Sequence, residues 1–465
     1  MLQMVAICPH PPIIIPEIGK EELKKVEKTA QAMEEIAKQI KQLDPEILVF
    51  ITPHGAVFED ALTISHPRKL RGSFERFGSK LSMQKTFAED LSNNLLKGAR
   101  KIKPMVAELT DMDANNYGIN LDLDHGILVP LYYLDKAGIN VPILPINIGL
   151  LPYDQLYEFG IFMQEVIQQQ KKRVVVIISG DMSHRLTHDA PAGFDPQGKI
   201  FDEIIVQAVS EGDVLRMFNI EPGLISKAGE CGLRPIIIGL GILDGYEIKS
   251  KVYSYEGPFG VGYLVAGLQT GKSIESRKLL SQIRLDQQNK IKRVREDESW
   301  PVKWARENIE QYIKREEILP ASLDIPEEFK GEKGVFVSIK KQGQLRGCIG
   351  TISATKNSIA EEIQANAIKA ATEDPRFEPV DHDELEQLTY SVDILEKPER
   401  IDSINQLNPE IYGVIVRKGM RQGLLLPMLE GIDNAEEQVR IAKQKAGIGM
   451  NEKVELERFK VTRYY

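Results

Sequence analysis

Three histidines stand just past the ends of apolar runs. MVAIC is followed by Pro9 and His10, and EILVFIT by Pro53, His54 and Gly55. VVVIIS leads through a short polar stretch to His184. Short runs this rich in apolar and β-branched residues read as buried strands. In open α/β sheets, ligands bind outside the carboxyl ends of the strands. Three strands that each finish near an imidazole therefore point to one sheet edge with a metal or acid–base site. Imidazole suits iron(II), zinc and manganese. Two histidines, one carboxylate and open positions match non-haem iron oxygen chemistry, and zinc hydrolases use a similar set. Glu230 is the candidate third ligand. It lies in AGECGLRP, flanked by Gly229 and Gly232, just ahead of an apolar run. A carboxylate there is costly unless paired. Cys231 beside it competes, because thiolate binds the same metals. His66 and His188 read as ordinary loop residues.

The elements that must position these groups alternate between strand and helix. Residues 1–15 carry a strand ending at His10, and 20–43 a helix with a charged outer face. Strands follow at 46–53 and 61–65, then a polar excursion around RKLRGSFERFGS and a helix at 84–98. DLDHGILVPLYYL (122–134) places His125 and Gly126 ahead of an apolar helix. Residues 141–149 are a strand, 153–170 a helix, and 173–179 a strand whose two-sided apolar character suits the centre of a sheet. AGECGLRPIIIGLGIL (228–243) is a loop running into a buried helix, and 246–256 with 260–269 form a closing strand pair. The alternation predicts one α/β domain over 1–270, with a central mixed sheet flanked by helices. A polar, charged linker spans 271–295. The remainder, 296–465, shows an amphipathic helix at 300–316, then strands at 334–341, 344–352, 389–396, 412–419 and 423–427, with helices at 357–371 and 434–446. That pattern is α+β.

Composition narrows the function. The net charge of −9 argues against general nucleic-acid binding, which needs a basic surface. No run reaches the roughly 20 apolar residues of a membrane span. The first residues lack a signal peptide's basic start and cleavage site. Cys8, Cys231 and Cys348 are too few and too scattered for a disulfide framework, so a reducing cytoplasm is the simplest compartment. In the second domain, Arg346 and Cys348 sit in a strand-like run with Gly347 and Gly350. Arg346 could help activate a Cys348 thiol, although a small cysteine in a tight core is the favoured reading. Arg376 in DPRF reads as an ion-pair partner, and His382 as a turn residue.

The motifs CPHPPIIIPEIG, ITPHG, LDHGILVPL, ISGDMSHRLTHDAPAGFD and GECGLRP, in this order, resemble the LigB-type class III extradiol dioxygenase superfamily and its Memo branch, over about residues 1–270. The resemblance implies an iron(II) site held by His10, His54 and Glu230. It implies His184 as the acid–base residue and His125 as a histidine facing the substrate. A small aromatic, catechol-type substrate and dioxygen are the implied reactants. In the Memo branch a cysteine followed by glycine takes the glutamate's place, and Cys231-Gly232 matches that pattern. LRGCIGT, EDPRFEPV and EEQVRIAKQKAG resemble the AMMECR-type domain. The pairing is similar to the fused form of the AmmeMemoRadiSam system, which implies a radical SAM protein as partner. The chain has no CxxxCxxC run and so cannot hold that partner's cluster. The sequence leaves the oligomeric state open between monomer and homodimer, although dimers are common in this superfamily. Two functions are open: a dioxygenase-like enzyme, or a metal-binding accessory protein without oxygenase chemistry. A zinc hydrolase using the same pocket is a third.

Overall fold

The computed structural model describes residues 1–99, 105–320, 325–341, 343–429, 432 and 434–465. They form two compact units, Met1–Leu285 and Asp286–Tyr465.

The first unit contains β1 (Leu2–Cys8), β2 (Ile47–Thr52), β3 (Ala61–His66), β4 (Leu70–Ser73), β5 (Ser82–Lys85), β6 (Met105–Thr110), β7 (Ile143–Asn147), β8 (Val174–Ser179), β9 (Tyr246–Glu256) and β10 (Tyr263–Ser273). Eight of them make one sheet in the order β6-β3-β7-β2-β8-β1-β10-β9. β8 pairs in parallel with both β1 and β2, and β2 in parallel with β7. β10 runs antiparallel to β1, and β9 antiparallel to β10. The sheet is therefore mixed, as expected, with a parallel centre.

Every residue of β2 and β8 is buried. Successive side chains enter opposite layers, as the two-residue period of a strand requires. Val174, Val176 and Ile178 join a core with the helices Tyr153–Gln169, Pro196–Glu211 and Leu233–Gly241. Val175 and Ile177 join the core on the other face, with the helices Glu27–Gln42 and His125–Lys136. The result is an α/β/α sandwich whose parallel strands end together at one edge.

Some elements differ from expectation. The polar excursion is the hairpin β4–β5 with a short 3-10 turn at Glu75–Phe77, so the following helix begins at Glu89. The segment expected as a linker holds the end of β10 and most of a continuous helix, Leu280–Glu296. The boundary between the units falls inside that helix. No helix among the described residues is long and apolar enough to cross a membrane.

The second unit is α+β, as expected. It contains β11 (Val335–Lys341), β12 (Gln344–Gly350), β13 (Leu388–Leu395), β14 (Glu399–Ile401), β15 (Gly413–Lys418), β16 (Arg421–Leu425), β17 (Glu455–Phe459) and β18 (Val461–Tyr464). They form two four-stranded sheets, β12-β11-β13-β18 and β14-β17-β15-β16. Helices Trp300–Arg315 and Ile359–Thr372 share a core with the first sheet, and Ala435–Lys445 packs with the second.

Candidate metal centre

The strand order explains how distant histidines meet. β1, β8 and β2 are neighbours and parallel, so their carboxyl ends share one edge. His10 and His54 each lie two residues past a strand end, and His184 five past another. His125 arrives differently, as the first residue of the helix His125–Lys136. Asp124 caps that helix by accepting from Gly126 N at 2.7 Å. The same oxygen accepts from Thr52 Oγ1 at 2.9 Å, which ties the helix start to the end of β2. Gly126 allows this approach: a Cβ there would sit 2.5 Å from Thr52 Oγ1 and 3.1 Å from Ser179 Oγ.

The ring nitrogens of His10, His54 and His125 include one atom each within 4.8 Å of the others. The Nε2 atoms of His10 and His54 are 2.8 Å apart. His54 and His125 stack with centroids 4.4 Å apart, while His10 stands nearly perpendicular to both. His10 is buried, His125 half-buried and His54 exposed, so the cluster opens outward through His54.

The tautomer of His10 follows from its neighbours. Ser179 Oγ donates to Gly126 O at 2.5 Å. A hydroxyl has one proton, so at 2.8 Å it must accept from His10 Nδ1–H. The lone pair of His10 therefore lies on Nε2, facing His54. Burial pushes His10 well below the usual histidine range, aided by the neighbouring His54, His125 and His184. His54, exposed at the mouth but partly desolvated by the cluster around it, is lowered to about 4 by that desolvation first and by His125 and His184 second, and burial lowers His184. In His125 burial acts first and the charge of Arg76 second. Four neutral imidazoles result, which is the form that ligates metal. Two such nitrogens bound at right angles to one ion would lie roughly 3 Å apart, from a metal–nitrogen length of about 2.1 Å. The observed His10–His54 separation fits that arrangement, so the donor set suits a metal ion.

Two loops close the site. Gly180 and Gly232 bring them together, since a Cβ on Gly180 would lie 2.4 Å from Gly232 Cα. Cys231 N donates to Asp181 O, and Asp181 N donates to Cys231 Sγ, both at 3.3 Å. The thiol lies 3.7 Å from His10 Nε2 and 3.9 Å from His184 Nε2. Burial holds it well above the usual thiol range. Asp181 accepts from His10 N at 2.9 Å and is pushed up to about 7 by burial. Asp202 steadies the His184 loop from behind. Its Oδ1 accepts from Ser183 N at 2.8 Å and its Oδ2 from Tyr255 OH at 2.6 Å.

Glu230 has a different place from the one expected. Its Oε2 accepts from Leu233 N at 2.6 Å, at the start of the helix Leu233–Gly241. Among the described residues, the group able to share an ion includes His125 and not Glu230. The geometry thus makes Glu230 a helix cap and leaves Cys231 beside the histidines. Ser179 and Asp181 were missed in the sequence, although Ser179 ends β8 directly after its apolar run and Asp181 lies two residues on, the same signal that marked His184. His66 pairs with Glu108 and Glu89, and His188 packs on Phe194.

In the second unit, Arg346 is fully engaged. It pairs with both oxygens of Glu384, at 3.2 and 2.8 Å, and donates to the carbonyls of Glu378 and Pro379. Burial raises the Cys348 thiol, which accepts from Ser338 Oγ at 3.3 Å. Arg376 pairs with both oxygens of Asp374, and Oδ2 also accepts from Cys348 N. Gly347 and Gly350 are demanded by packing: Cβ atoms there would lie 2.2 Å from Ala370 O and from the Phe336 ring. The cluster builds this unit's core rather than a reactive thiol.

Comparison with known proteins agrees with this layout. Residues 4–266 match the family model for the catalytic LigB subunit of aromatic ring-opening dioxygenase, and residues 302–464 match AMMECR1. The chain belongs to the LigB family, with an AMMECR1 domain following in the same chain. A protein of Clostridium acetobutylicum is 39% identical over 98% of this chain and 98% of its own length. A Thermotoga maritima protein is 52% identical over 35% of this chain and 95% of its own. The crystal structure of an uncharacterized protein from Pyrococcus horikoshii is 31% identical, covers 35% of this chain and 88% of that one, and has a TM-score of 0.34.

Proposed function

We propose that the first unit is an iron(II)-dependent, extradiol dioxygenase-like centre acting on a catechol-type or related aromatic substrate. The observation that carries this reading is the His10–His54 pair, whose Nε2 atoms converge with the His10 lone pair aimed into the gap. His10 and His54 would hold the ion, with zinc and manganese as competing metals. Iron there supplies Lewis acidity and the redox chemistry that dioxygen needs. The protein does the rest. His184, neutral because it is buried, is ready to take a hydroxyl proton from the substrate and return it later. His125 stacks on His54 at the open side, where a planar ligand arrives.

A second reading draws on one observation. Cys231 rather than Glu230 lies beside His10. Two histidines and a cysteine suit a metal-binding accessory protein, for which a radical SAM enzyme is the proposed partner. Anaerobic iron loading followed by oxygen uptake against catechols and aminophenols separates the two. Uptake with a bound-iron stoichiometry near one supports the enzyme. Bound iron with no uptake across the panel supports the accessory role.

A further inference from the structure

The loop that carries His54 has to cross a strand. β7 lies between β2 and β3 in the sheet, so residues 53–60 leave the end of β2 and pass over the end of β7 before β3 begins. The crossing is fastened on both sides. Ile148 N donates to Thr52 O at 3.1 Å, and Leu150 N donates to Phe58 O at 2.8 Å. Between these two points the loop lies on Asn147, the last residue of β7.

Asn147 ends the otherwise apolar strand ILPIN and is only 2% exposed. A buried amide is costly unless its groups are bonded. Its Nδ2 donates to Thr63 Oγ1 at 2.9 Å and to Ser65 Oγ at 3.0 Å, both on β3. Thr63 Oγ1 donates in turn to Ala56 O at 2.8 Å. A hydroxyl has one proton, so towards Asn147 it must accept, and this fixes which way the amide points. The amide oxygen is left against the loop: a Cβ on Gly55 would lie 1.8 Å from Asn147 Oδ1. The two residues after His54 are therefore held by one buried side chain, Gly55 by direct contact and Ala56 through Thr63. On the other side, His54 N donates to Thr52 Oγ1 at 3.3 Å.

We propose that Asn147 is a positioning residue for the metal centre. Acting through Thr63 and Gly55, it sets the backbone that aims the His54 imidazole at His10. The inference rests on the reading of His10 and His54 as metal ligands. It gives His54 a support of its own on β7 and β3, as Ser179 on β8 supports His10.

The test uses the full chain, anaerobic, with zinc and then iron(II) as probes in competition against a chromophoric chelator. Denaturant melts of the metal-free protein run beside it. Asn147→Leu removes the amide, and Thr63→Val removes the bond to Ala56 while keeping the side chain's shape. Each should weaken metal binding about 10–100-fold, the usual result of losing a partner that orients a ligating histidine. Thr63→Ser keeps the hydroxyl and should restore binding to within about twofold of the parent protein. The double variant should lose no more than the larger single loss, because the two residues act in one chain. Ser65→Ala is the control. It removes the other acceptor of the same amide but no contact with the loop, so it should lower the denaturant midpoint and keep metal affinity. If Asn147→Leu does not fold, Thr63→Val decides alone. Unchanged affinity in Thr63→Val overturns the proposal, and so does an equal loss in Ser65→Ala. His54→Ala separates this from the parent reading. Binding abolished there but intact in Thr63→Val sinks the positioning role and spares the ligands. Binding intact in His54→Ala sinks both.

Discussion

Replacing Ser179 by alanine tests the tautomer argument on which the metal centre rests. Ser179 is completely buried, and its hydroxyl does two things. It donates to Gly126 O and accepts from His10 Nδ1. Alanine removes one oxygen and leaves both partners without a bond. A buried polar group left unpaired costs about 1–3 kcal/mol, so a loss of roughly 2–4 kcal/mol in folding stability is expected. The larger effect concerns the metal. Without an acceptor at Nδ1, His10 gains nothing by keeping its proton there. A proton on Nε2 removes the lone pair that faces His54. Losing a partner that orients a ligating histidine typically weakens metal binding about 10–100-fold. Competition against a chromophoric chelator, with zinc and then iron(II), measures that loss, and denaturant melts measure stability. Ser183→Ala is the control. Ser183 is also buried and donates to Ala228 O at 2.9 Å, but it does not touch His10. It should lose stability and keep metal affinity. If Ser179→Ala binds metal within twofold of the parent, or if Ser183→Ala loses as much, the reasoning is refuted.

Other outcomes follow from the same geometry. Glu230→Gln should retain bound metal and lose about 1 kcal/mol of helix-end stability, whereas Cys231→Ser should lower metal stoichiometry. Metal loss confined to Glu230→Gln would return that residue to the ligand set. Gly180→Ala pushes its loop off Gly232 and should cost about 1–3 kcal/mol, seen as a lower denaturant midpoint, together with weaker metal binding. In the second unit, burial opposes the charge of Glu384, but Arg346 and Lys341 outweigh it and hold the carboxyl at about 2. A depressed carboxylate contributes fully above its usual 4.5, and its contribution is lost as pH falls towards 2. The loss is of the order of 3 kcal/mol at most. Glu384→Gln should remove that part of the acid sensitivity in melts between those pH values, and an unchanged pH dependence would count against it.

Much of the first unit was legible because its strands are short, apolar and end in polar residues. β2 and β8 read as buried runs, and both are buried throughout. Their order was not legible. β8 lies between β1 and β2 although it is far from both in sequence, and only side-by-side packing decides that. β6, β14 and β17 escaped notice for a different reason: they are short and carry charged residues, as in ELERF, so their alternation is weak. Which of Glu230 and Cys231 faces the histidines was unreadable in principle. Glu230 and Cys231 are adjacent, and which one turns towards the histidines depends on loop backbone. That backbone is set by the close contact of Gly180 with Gly232 and by the paired bonds between Cys231 and Asp181.

The position of Glu230 raises a question of charge. With its carboxylate on a helix start, the nearby nitrogen donors are all neutral. A divalent ion among them would lie partly out of water, where uncompensated charge is costly. Asp181 answers this. It is buried, it is fixed by His10 N, and its second oxygen lies 3.7 Å from His10 Nε2. Among the described residues, no lysine or arginine pairs with it. A carboxylate kept in such a place is explained most simply by a cation that arrives beside it. On the metal-centre reading, the acidic group that would balance a bound ion is therefore Asp181 on the loop after β8, and not Glu230 at the start of the helix Leu233–Gly241.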